Sequence, residues 1–173
     1  MTKSCKEGIP NVIELDQYFE GADFIDVKVF EGNRTLREFI AAMLSYYPWW
    51  IVGLYRVRRL LVGLLGLVKH DAPEKLPNLQ ADDVSFTPGE SVTFFIVRRA
   101  KEEQFWISET PDDRHLQAFF GIVMEPAGNS INRFHVMTSV YFKHWTGPVY
   151  FNIIRPFHHL VVSRMAHYGL KKR

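Results

Sequence analysis

The chain has 173 residues, of which 47% are apolar and 14% aromatic, enough to bury one core and to exclude an intrinsically disordered protein. Its 21 Lys and Arg against 19 Asp and Glu leave a formal charge of +2, too small for the electrostatic footprint of a nucleic-acid binder. Cys5 is the lone cysteine, which rules out an intrachain disulfide and a thiolate metal cluster. With no apolar leader in the charged stretch before Pro10, this points to a reducing, cytoplasmic setting.

Residues 1–22 have weak periodicity and read as a tail and lead-in to a single domain over 23–170. A first strand is expected near Asp23 to Phe30, with Glu31-Gly32-Asn33 as the turn after it. Thr35-Leu36-Arg37-Glu38 has the form of a capping box, in which the Thr hydroxyl satisfies an orphan amide and the Glu side chain reaches back to the cap. Leu36, Phe39, Ile40, Met43, Leu44 and Tyr47 then form one helical stripe, which Pro48 ends. A second helix follows from Trp50 to Val68. The uncharged stretch from Phe39 to Tyr55 resembles a membrane anchor, but Pro48 interrupts it and both halves are amphipathic, so no membrane span is expected.

Pro73 and Pro77 make residues 69–83 a solvated, flexible loop. Beyond it the period becomes two. Ser91 to Arg99, Gln104 to Thr110, His115 to Glu125 and Ser130 to Trp145 read as strands of an antiparallel meander, and a short strand is expected at Val84 to Thr87. In the last long run Phe134, Val136, Val140 and Phe142 alternate with Arg133, His135, Ser139 and Lys143, which predicts one buried face and one wetter face. Thr146-Gly147-Pro148 opens a final helix to Gly169, whose apolar face is predicted at Ile153, Phe157, Val161, Met165 and Tyr168, with Arg164 near its centre.

This order gives an α+β helix-grip fold: one antiparallel sheet, two helices after the first strand, and a long C-terminal helix across the sheet. It resembles the START-like and polyketide-cyclase-like (SRPBCC) superfamily. Asp112 to Leu116, Thr138 to Phe142, Tyr55 to Leu67 and Gly147 to Val162, above all Pro156-Phe157-His158, make the chain similar to a bacterial domain-of-unknown-function family, DUF2867. That resemblance implies the fold and brings no catalytic residues. Members of the family occur as appendages to nucleotide-sugar-epimerase-like domains, which implies an accessory binding role.

Three functional readings remain open. In the first, the space between sheet and C-terminal helix holds a small apolar ligand, lined by Trp106, His115, Gln117, Phe119 and Phe157, with any anionic group of the ligand held by Arg164. In the second, a cyclase- or hydratase-like enzyme uses His115, oriented by Asp113 two residues before it, as acid and base. In the third, Trp49, Trp50 and the Tyr55 to Leu67 helix dock against another protein or a second copy, giving a homo-oligomer. Every histidine except His70 lies from His115 onward, yet the spacing of His135 and His144, and of His158 and His159, does not place a pair on one face, so no metal site is expected. The sequence also has no Gly-rich phosphate loop or P-loop, and no cofactor is expected.

Overall fold

The computed structural model describes residues 13–54, 78–111 and 115–171. Six strands form one antiparallel sheet in the order β1-β6-β5-β4-β3-β2. They are β1 (Phe24–Gly32), β2 (Ser91–Val92), β3 (Phe95–Lys101), β4 (Phe105–Glu109), β5 (Leu116–Gly128) and β6 (Ile131–Phe142). Two helical segments follow β1: α1 (Leu36–Leu44) and α2, described over residues 49–54. After β6 comes α3 (Thr146–Leu170). This is the helix-grip arrangement. The rest of the expected second helix, most of the loop 69–83, and Asp113 lie outside the described residues.

The capping box forms as the sequence dictates: the Thr35 hydroxyl accepts from the Glu38 amide at 3.3 Å, and Glu38 Oε2 accepts from the Thr35 amide at 3.0 Å. The helix stops at Leu44, short of Tyr47, where Ser45 turns its hydroxyl onto the Ala41 carbonyl at 2.7 Å and accepts from the Leu79 amide at 2.9 Å. A side chain bonded to the preceding turn and to a distant segment competes with helix continuation. Residues 84–87 are not a strand; Val84 is buried without a ladder partner, and the Ser85 carbonyl accepts from Trp106 Nε1 at 3.0 Å. The run from Ser91 splits into β2 and β3 around Thr93, whose φ of 58° is a turn conformation.

Two cores lie on opposite faces of the sheet. On the helix-facing side Phe120, Ile122, Phe134, Val136 and Trp106 pack with α1 and with Val162 and Ala166 of α3. Phe39 of α1 stacks on Phe134 with ring centroids 4.2 Å apart. Gly169 lets α3 close on α1, because a Cβ there would stand 3.0 Å from the Phe39 ring.

The other face is covered at its centre, while Arg133 and Lys143 towards its ends are exposed as expected. The lead-in is a 3-10 turn at Ile13–Tyr18, and Leu15, 1% exposed, packs with Phe19 over Phe105, Ile107, Val123 and Met137. His135 and Ser139, expected on a solvated face, are therefore buried, and Ser139 donates to the Tyr18 carbonyl at 2.6 Å. The sequence signal for this cover is Ile13, Leu15, Tyr18 and Phe19 within one short stretch, too short a run to establish a period.

Candidate functional site

The residues expected to line one cavity are divided among four places. Trp106 pairs across the ladder with Ile122 and is fully buried on the helix-facing side. Gln117 and Phe119 are odd-numbered members of β5 and point the other way, since side chains alternate along a strand. Gln117 Nε2 donates to Glu109 Oε1 at 2.6 Å, and Arg98 Nε donates to Glu109 Oε2 at 2.5 Å, so that nearly buried carboxylate has both oxygens occupied. Phe119 meets Tyr18 edge-on at 5.2 Å, and Tyr18 in turn packs against the second core.

Phe157 is 44% exposed and Arg164 is also exposed on α3. The buried positions of α3 are Thr146 and Gly147 in its first turn, then Tyr150, Phe151, Val162, Ala166 and Gly169, so the packed face lies to one side of the predicted stripe through Phe157. Both sides of this helix carry apolar residues, which leaves its orientation undetermined by periodicity; the close approach at Gly169 selects the packed one. Arg164 therefore does not point at the sheet, and its expected role as an internal anion anchor does not hold.

His115 sits at the start of β5, at the end of the sheet where α3 begins. Its Nδ1 lies 2.6 Å from the Thr146 hydroxyl, which also lies 3.0 Å from His144 Nδ1, and the two imidazoles meet edge-on at 5.3 Å. One hydroxyl donates a single proton, so at least one of the two rings donates to it. The His115 carbonyl accepts from the Lys143 amide at 2.9 Å, and a Cβ at Gly147 would stand 2.6 Å from that carbonyl. His115 thus ties the start of β5 to the end of β6 and the first turn of α3.

Two polar groups lie toward the sheet at the middle of α3, His158 and His159, and His158 stands one turn before Val162. Its Nε2 is buried and has no hydrogen-bond partner among the described residues. Burial pushes the imidazole down to about 4; Asp26 opposes this, while His159 and Lys28 add to it. At neutral pH the ring is therefore uncharged, with one N–H and one lone pair.

Beside it, Asp26 Oδ2 lies 3.3 Å from Lys28 Nζ and 3.2 Å from His159 Nδ1, while Lys28 Nζ and His159 Nδ1 are 3.3 Å apart. Asp26 and Lys28 reach this side because alternate residues of β1 share a face. Thr138, buried opposite Asp26 in the register, completes the polar row, and Phe24 and Phe151, with centroids 4.8 Å apart, bound it. Adjacent histidines project in different directions from a helix, and the β1 pair contacts His159 while acting on His158 through its charges. Periodicity gives no sign of this, since it depends on which strand lies beneath α3. Among the described residues no group of three metal-ligating side chains has the geometry for an ion.

Residues 18–165 match the family model described as a protein of unknown function (DUF2867). No curated protein matches the chain. Among solved structures, norcoclaurine synthase from Thalictrum flavum is similar at 18% identity and a TM-score of 0.42, covering 87% of this chain and 89% of that one. A hypothetical protein from Helicobacter pylori is 10% identical with a TM-score of 0.44, over 98% and 96% of the two chains. Ara h 8.0201 is 9% identical with a TM-score of 0.41, over 86% and 100%. At such identities and TM-scores these likenesses carry no argument about ligand or reaction.

Proposed function

The chain belongs to the DUF2867 family of proteins of unknown function, and we propose that its domain is a binding module holding a small, mostly apolar molecule between α3 and the helix-facing side of the sheet. Nε2 of His158 supplies the polar contact. The single observation that carries this reading is that buried nitrogen without a partner among the described residues, at the middle of a helix face otherwise lined by Phe151 and Val162. Leaving a buried polar atom unpaired costs roughly 1–3 kcal/mol, a cost that a ligand hydroxyl or amide relieves on binding. The packing of α3 agrees: it closes on α1 and meets the sheet mainly along β1 and β6, away from β3 and β4.

An internal anion site is not part of this proposal, because Arg164 points outward and the basic group on the inner side, Lys28, is already paired with Asp26. The ligand expected is therefore neutral, with one hydrogen-bonding group.

Native mass spectrometry of the purified protein, with extraction and identification of any passenger, is the direct test. A stoichiometric apolar passenger that is lost from His158→Leu supports the module. Bare protein that also shows no saturable uptake of 1-decanol by calorimetry refutes it. If turnover of any passenger is found, His115→Ala tests the acid–base alternative, since unchanged turnover removes His115 from the chemistry.

A further inference from the structure

The exposed large apolar side chains of α3 and its approach lie along one line. Trp145, 73% exposed, is followed by Val149, Ile153, Phe157 and Leu160, each more than two-fifths exposed. The steps are four, four, four and three residues. At 3.6 residues per turn the four helical positions fall within an arc of about 80°, and Trp145 to Leu160 spans about 22 Å. That arc is opposite Val162 and Ala166, the side on which α3 packs. A helix on the surface of a water-soluble domain ordinarily carries its charged residues there.

Charge continues the same line. Exposed Arg164 and Lys171 fall within the same arc toward the C-terminal end, and exposed Lys143 lies two residues before Trp145. The net charge of +2 hides a strong asymmetry: residues 126–173 contain seven of the 21 basic residues and none of the 19 acidic ones. The preceding part, with 14 basic against 19 acidic residues, is net negative. The outward face of α3 is thus an apolar band with cations at both ends and no carboxylate on its own helix.

We propose that this face docks on an anionic lipid surface, with α3 lying in the membrane plane. The apolar side chains enter the boundary between headgroups and acyl chains, and Lys143, Arg164 and Lys171 meet headgroup phosphates. Trp145 carries the amphipathic ring suited to that boundary. Nucleic acid would be met by cations along the centre of the face, where this one is apolar. A second copy apposed along the same face would bring two acid-free helices together with no opposite charge to offset their cations. An anionic bilayer satisfies both the apolar band and its charged ends.

Sedimentation of the full chain with vesicles tests this, using phosphatidylcholine alone and phosphatidylcholine with about one-third phosphatidylserine, a fraction giving the negative surface potential the cations require. Binding is expected on the mixed vesicles, weaker by an order of magnitude or more on phosphatidylcholine alone, and reduced by salt. Phe157→Glu is expected to abolish it and Arg164→Glu with Lys171→Glu to weaken it. All three positions are exposed, so the circular dichroism spectrum should not change; Phe157→Ser provides a second, milder variant. Absence of binding, equal binding to both vesicles, or binding that survives both Phe157 variants overturns the proposal. So does light scattering in which the parent is a dimer and Phe157→Glu a monomer, because the band would then pair copies of the chain.

Discussion

Protonation of His158 should dominate the difference in acid stability between the parent protein and a variant lacking that imidazole. In the unfolded chain the group titrates at its ordinary value of 6.5, and in the folded protein at about 4. A lowered histidine pKa means that between these values the unfolded state binds the proton and the folded state does not, so stability falls as pH falls through this window. Stability is constant above it, and below about 4 the loss is complete. The shift corresponds to roughly 3 kcal/mol at 1.36 kcal/mol per pKa unit, of which roughly 2–3 should be lost between pH 7.5 and 4.5. The groups facing the ring are Asp26 and Lys28 from β1 and its neighbour His159, and they remain in the variant. Urea unfolding of the parent and of His158→Gln across this range isolates the contribution, because other titrating groups act in both. The parent should lose more stability by the stated amount; parallel pH profiles would refute the assignment of a neutral, buried imidazole.

Three further outcomes follow from packing. Leu15→Ala should cost 2–5 kcal/mol in chemical denaturation, the range for a fully buried leucine, whereas a loss near zero would mean that the lead-in is not core. Gly169→Val should destabilise by roughly 1–3 kcal/mol, since even its Cβ would press on the Phe39 ring and stand 3.2 Å from the Phe39 carbonyl; an unchanged melting temperature would contradict close packing of α1 and α3. Thr35→Ala should cost about 1 kcal/mol through the lost helix cap, with Thr35→Ser retaining most of it, as measured by urea midpoints at constant m-value.

The order of the long strands and helices, the capping box at Thr35, the stripe from Leu36 to Leu44 and the alternation of Phe134, Val136 and Val140 were legible in the sequence, because each depends on residues near one another in the chain. The candidate site was not. Trp106, Gln117 and Phe119 look alike as members of β-rich runs, and the ladder register places the first on the opposite face from the other two. The lead-in offered too short a run to show that it covers the second face, and so His135 and Ser139 were expected to be wet. On α3, apolar residues on both sides made either face a credible core. Contact between Gly169 and Phe39 turned His158 inward and left Phe157 and Arg164 outside. Sequence by itself determined the long elements, since hydrogen bonds, caps and periodicity act over a few residues; tertiary structure decided the short ones at 84–87 and Ser91 and which face each element buries, because these depend on long-range packing.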